Sequence, residues 1–147
     1  MAELYDNPKY YEIAFAWRDI VSETNLFEKC IEKYSGISVN SVLEICSGNS
    51  PHMEELVRRG YRYTGLDLSR AMLDYGAEKT KRNGIEAKFI HANMVDFETA
   101  EKYDFAFIML GSFFATSTAE VYSHFKSVAG ALKKGGLYLL DWCVQFE

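Results

Sequence analysis

Short apolar runs, separated by polar stretches of helical period, recur along most of this chain. Ser41–Cys46 (SVLEIC) is compact and apolar, which predicts a buried strand. Tyr61–Asp67, Ile85–His91 and Tyr103–Leu110 (YDFAFIML) predict three more, and Leu137–Val144 predicts a fifth. Pro8–Tyr34 reads as helix in one or two pieces. Leu26, Cys30, Ile31 and Tyr34 recur on one face there, and Gly36 closes the segment. Pro51–Arg59 predicts a short helix stopped at Gly60. Ser69 caps a helix that runs to about Arg82 and ends at Asn83-Gly84. Ser117 and Glu120 have capping-box spacing for a helix reaching about Lys134, with Gly135-Gly136 as the turn into the last strand. Alternating strands and helices imply an α/β three-layer sandwich with a mostly parallel sheet and right-handed crossovers. The expected organisation is one domain, with an N-terminal helical cap over 1–36 and a core over 37–147.

Composition narrows the class. The 147 residues are 48% hydrophobic and 25% charged, the balance of a folded globular chain. Aromatics reach 15%, enough both to fill a core and to line a cavity for a flat ligand. The net charge of -5 gives no electrostatic footprint for nucleic acid or an anionic membrane. Cys30, Cys46 and Cys143 have no CxxC spacing, which argues against a disulfide framework and against a metal site. Phe105–Ala115 is interrupted by Gly and Ser and is too short to span a bilayer. Met1–Tyr10 lacks a basic stretch followed by an apolar run, so a cytoplasmic location is the expectation.

In a parallel sheet, ligands bind at the carboxyl ends of the strands. The first strand ends Glu44-Ile45-Cys46 and runs into Ser47-Gly48-Asn49-Ser50, small residues that let a backbone approach a ligand. The second ends at Asp67, whose two acceptor oxygens suit a ribose diol. The third is followed by Asn93, able to read an adenine edge, and Met94, able to pack on the ring.

This ordered set resembles the class I S-adenosylmethionine-dependent methyltransferases. VLEICSGNSPH is similar to their first motif, GLDLS to the second and HANMVDF to the third; YDFAFIML and LKKGGLYLLD resemble their fourth and fifth strands. The opening YDNPKYYEIAFAWRD is similar to small-molecule members, in which an N-terminal aromatic segment lies over the cofactor. The resemblance implies a Rossmann-like fold, S-adenosylmethionine as cofactor and a small-molecule methyl acceptor. It implies cofactor contacts from Glu44, Cys46, Ser47, Gly48, Asp67, Leu68, Asn93, Met94 and Leu110, with Glu44 near the methionine amino group. Substrate contacts would come from Tyr11, His52, Asp141 and Trp142, and no catalytic residue or metal is implied. Cys46 and Ser50 stand where the family alternates glycines, and the family usually has Asp where this chain has Asn93. The family's C-terminal β-hairpin is lacking, so a second copy or a complementing chain is expected at the edge of the fifth strand.

Plainer roles stand beside these. Asp67 could help start the next helix, Asn93 could be an ordinary turn residue, and Tyr5, Tyr10 and Tyr11 could be packing residues. His52, His91 and His124 are each expected to be structural before functional. The alternatives to an enzyme are a non-catalytic domain that binds the cofactor or a partner, and a nicotinamide-binding domain. The last is disfavoured because no glycine follows Gly48 three positions later.

Overall fold

The computed structural model describes residues 6–141. The chain runs α1 (Pro8–Ala14), α2 (Ile20–Tyr34), β1 (Ser41–Ile45), α3 (Met53–Arg58), β2 (Arg62–Asp67), α4 (Arg70–Asn83), β3 (Ala87–His91), β4 (Tyr103–Ile108), α5 (Thr118–Ala131) and β5 (Leu132–Leu140). The strands form one sheet in the order β3-β2-β1-β4-β5, and every pairing among them is parallel. This is the expected α/β Rossmann-like architecture.

Local chemistry sets the helix starts. Asp19 accepts the Ser22 amide at 3.0 Å, Ser69 accepts the Met72 amide at 3.3 Å and Ser117 accepts the Glu120 amide at 3.2 Å. Glu120 reaches back to the Thr116 amide at 2.6 Å, a capping pair displaced one residue outward. Gly84 ends α4 in the left-handed region, with φ 63°.

Period-two alternation splits the core between the two sheet faces. Leu43, Ile45, Leu66, Ala106 and Ile108 pack towards Val128 and Ala131 of α5. Val42, Tyr63, Phe105 and Phe107 pack towards Met53 and Leu56 of α3 and Phe27 of α2. The cap expected over 1–36 therefore gives Phe27, which has no exposed surface, to the main core.

Three boundaries differ from expectation. Helix α5 stops at Ala131 rather than near Lys134, and β5 already begins at Leu132. Gly135-Gly136 lies in a bulge inside β5: Tyr103 pairs with Leu132 but Phe105 with Leu137. A Gly-Gly pair suits a bulge as well as a turn, because Gly135 adopts φ 88° there. Strand β4 ends at Ile108, since Leu110 and Gly111 both enter the left-handed region. Trp142 and the remainder of the expected fifth strand lie outside the described residues.

Candidate functional site

Strand order reverses between β1 and β4, so the carboxyl ends of β1, β2 and β4 frame the place where such a sheet takes ligands. Beyond β1 the chain turns through Cys46 (φ 56°), Gly48 (φ 51°) and Ser50 (φ 54°). The conformation of alternating glycines is kept with only one glycine present. Left-handed backbone costs a residue with a Cβ about 1–2 kcal/mol, so the loop is held in this shape by its surroundings. Those surroundings are visible: the Ser47 amide donates to Leu66 O at 2.9 Å and the Ser50 amide to Ser47 O at 2.8 Å. Gly65 of β2 leaves room beneath the loop, where a Cβ would stand 2.8 Å from the Ser47 hydroxyl oxygen.

At the end of β2, Asp67 is fixed at both carboxylate oxygens. Oδ2 accepts the Gly48 amide and Oδ1 the Ser69 amide, each at 2.8 Å. Leu68 beside it is 64% exposed. The next loop holds Asn93 and Met94. Asn93 is exposed, but its Oδ1 accepts the Val95 amide at 3.0 Å, the turn role that the residue type favours. Met94 is buried, with its sulfur 3.4 Å from the Cys46 sulfur.

A narrow cleft opens beside the β1 loop, lined by Tyr11, Arg18, Glu44, Cys46, Ser47 and Leu110 among others. Its interior holds only about 20 Å³, the volume of about one water. Tyr11 covers Gly48, with Cε1 4.0 Å from where a Gly48 Cβ would be, and its ring lies 4.5 Å from that of Phe15. The Leu110 amide donates to Asp141 Oδ2 at 3.0 Å, so Asp141 shapes the turn after β4. A roomier depression of about 570 Å³ lies at the opposite, amino-terminal end of the sheet, beside Tyr61, Lys88 and Tyr103. The opposed charges and the left-handed loop are at the carboxyl end, where the chemistry is assigned.

Beneath the cleft runs a buried polar chain. Arg18 donates to Glu23 from Nε at 3.0 Å and from Nη2 at 2.5 Å. The His52 ring lies between carboxylates, Nε2 at 2.7 Å from Glu23 and Nδ1 at 2.7 Å from Glu44. Tyr63 donates to the other Glu44 oxygen at 2.5 Å. The Ser47 and Ser50 hydroxyls are buried near the Tyr63 phenol without a well-formed hydrogen bond. Burial opposes the charge on Glu23, yet His52 and Arg18 hold its carboxyl down to about 2. Burial also works against charging His52, but Glu44 and Glu23 outweigh it, and its pKa is raised. Burial, with Asp67 and Glu44 adding to it, pushes the Cys46 thiol up to about 12, so it stays protonated.

The structure brings Glu44, Cys46, Ser47, Gly48, Leu110 and Tyr11 together and sets Asp67 and Leu68 alongside. His52 takes the structural of its two expected roles: it has no exposed surface, and both ring nitrogens face carboxylates, so it supports Glu44. His91 and His124 make the structural contacts expected of them, to Leu68 O at 2.9 Å and to Met94 O at 2.8 Å. Sequence reasoning gave no role to Arg18, Glu23 or Tyr63. Arg18 and Glu23 carried one signal, charges in an aromatic-rich helical segment. Among the described residues no cluster of side chains suited to a metal is found, and no helix is long and apolar enough to cross a membrane.

Comparison with known proteins agrees with this geometry. A protein of Geobacillus sp. (strain WCH70) named as a candidate methyltransferase is 26% identical over 127 residues, covering 86% of this chain and 49% of that protein. An S-adenosylmethionine-dependent methyltransferase from Clostridium acetobutylicum ATCC 824 superposes with TM-score 0.76 at 22% identity, over 89% of this chain and 53% of that one. CalS10, an amino pentose methyltransferase from Micromonospora echinaspora solved with S-adenosylmethionine, gives TM-score 0.77 at 20% identity, over 90% and 56%. The chain thus spans about half the length of these relatives. The model of the methyltransferase domain family matches residues 42–136, the stretch from β1 into the first half of β5 with the loops between, and the chain belongs to that family.

Proposed function

We propose that this chain binds S-adenosylmethionine and takes part in methyl transfer to a small-molecule acceptor. The observation that carries the reading is the Asp67 carboxylate, fixed by the Gly48 and Ser69 amides at the carboxyl end of β2. Two oxygens so oriented keep lone pairs for a ribose diol. Arg18 and Glu44 offer opposite charges to one cleft, which suits the zwitterionic end of an amino acid. Gly48 adds no side chain to the loop between the two places. Leu68 and Leu110 would flank the ligand, and Cys46, Ser47 and Met94 would back it. Asn93 would act by shaping its turn rather than by reading a base.

The bound cofactor supplies a methyl group on a cationic sulfur, which leaves the protein little acid–base work. Tyr11, over the loop, would shield that charge and exclude water. Cys46 stays a thiol, and the enclosed His52 reaches no substrate, so neither is a base or a nucleophile here. What remains is alignment of acceptor and methyl carbon, the main requirement of such a transfer. CalS10 acts on an amino pentose by its name; a comparable acceptor is the first class to assay. Cys30 and Cys46 are both free thiols, which supports a cytoplasmic setting. Calorimetry with S-adenosylmethionine, S-adenosylhomocysteine and NAD tests the reading. Binding of the first two alone is the expected result. Binding of none, or of NAD, overturns it.

A further inference from the structure

We propose that His52, protonated on both ring nitrogens, is a positioning residue that latches the start of the N-terminal helices over the cleft. The inference rests on the cofactor reading above for its purpose, and on geometry for its existence. Nε2 and Nδ1 each stand 2.7 Å from a carboxylate oxygen. A neutral imidazole has one N–H, so it would press a lone pair against one of those oxygens; the doubly protonated ring donates to both. The charged groups facing it are Glu44 from β1 and Glu23 from α2, which favour the charged ring, and Arg18 from the turn before α2, whose Nη2 is 3.2 Å from Nε2 and opposes it; the two carboxylates outweigh the one guanidinium. Tyr63 of β2 reaches it through Glu44, while Phe27 of α2 and Phe107 of β4 contribute only ring faces and edges.

The two carboxylates belong to different bodies. Glu44 is part of the sheet, and Glu23 is in the first turn of α2. Phe27, four residues on, anchors the rest of α2 in the core. The part able to lift is therefore α1, the turn with Arg18 and the first turn of α2. It is also tied by Glu12 to Tyr75 and Lys79, through a carboxylate that is 45% exposed and correspondingly weaker, and by the Arg59 guanidinium, which donates to Val21 O at 3.3 Å. The cleft holds about 20 Å³, against the roughly 300 Å³ or more of a small-molecule pocket, and lifting of this part would widen it. The bond that breaks on opening is His52 to Glu23, and the ring stays with Glu44.

Hydrogen exchange on the full chain, with nitrogen NMR of the histidine rings and affinity for S-adenosylhomocysteine, tests the latch. His52→Gln has one donor group and one acceptor and cannot serve both carboxylates. Glu23→Gln leaves the His52–Glu44 pair in place and covers the case in which the first variant fails to fold. Amides of α1 and the first turn of α2 should exchange at least about tenfold faster in either variant, the loss of a charged hydrogen bond. Those from Phe27 onward should be unchanged. In the unaltered protein both His52 nitrogens should carry protons, and the same amides should loosen only as pH rises past the ordinary histidine value of 6.5. A singly protonated ring, or unaltered exchange in folded Glu23→Gln, overturns the latch. Failure of the unaltered protein to bind S-adenosylhomocysteine overturns the cofactor reading instead, and exchange still decides the latch.

Discussion

Gly48 and Asp67 hold each other: the glycine amide donates to Asp67 Oδ2 at 2.8 Å, across the ends of two neighbouring parallel strands. The bond fixes the carboxylate and pins the left-handed loop at once. Asp67→Ala should weaken S-adenosylhomocysteine binding by at least about tenfold, because hydrogen bonds to a charged group contribute roughly 1.5–3 kcal/mol each. Calorimetry on the folded variant checks this. An unchanged dissociation constant would remove Asp67 from the ligand site.

Ser50→Gly should stabilise the protein. Ser50 sits at φ 54°, and its buried hydroxyl lacks a well-formed partner. The substitution relieves both penalties and takes away little packing, so a gain of about 1 kcal/mol is expected from the backbone alone. Denaturant titration measures it. A loss of stability would show that the hydroxyl supports Tyr63 more firmly than its geometry suggests.

The pH dependence of stability follows from Glu23 and His52. Glu23, lowered from 4.5 to about 2, contributes stability that is present above pH 4.5 and lost as pH falls towards 2. His52, raised from 6.5, contributes stability that is complete below pH 6.5 and lost as pH rises through its folded value. The pair is strongest between about 4.5 and 6.5. Thermal unfolding across pH should peak there, and Glu23→Gln should flatten the acid limb. An acid limb of unchanged slope would show that Glu23 does not drive it.

Strand β5 pairs with β4 on one side and, among the described residues, with no strand on the other. Leu137 and Leu139 along it are only partly buried. A free strand edge is a template for another chain, so self-association at micromolar protein is the expected outcome. Light scattering or sedimentation reads it, and a monodisperse monomer would count against the edge as an interface.

Much of the architecture was legible because it is written locally. The apolar runs at Ser41, Tyr61 and Tyr103 read as strands because each is short and is followed by a helix, with Ser69 marking the start after the second and Ser117 the start after the third. The same logic failed at Gly135-Gly136, since glycine allows a bulge and a turn equally, and pairing with β4 decides between them. In the site, Glu44, Gly48 and Asp67 announce themselves by position at or just beyond the carboxyl end of a strand. Arg18, Glu23, His52 and Tyr63 do not. Their meaning depends on a contact 29 residues apart in sequence, between Glu23 and His52, and on burial that no local pattern encodes. Asn93 makes the local turn bond, accepting the Val95 amide at 3.0 Å, which its type alone suggests without deciding whether its exposed amide also meets a ligand.

Phe27 has a consequence for anyone exchanging N-terminal segments between relatives. Its ring lies 4.6 Å from Phe107 and 5.2 Å from His52, so it belongs to the foundation and not to the cover. A graft joined at Gly36 would carry a piece of the foundation with it and would report damaged folding as altered selectivity. A junction placed between Glu23 and Phe27 leaves Phe27 in the foundation and exchanges, with the cover, the Glu23 carboxylate that meets His52.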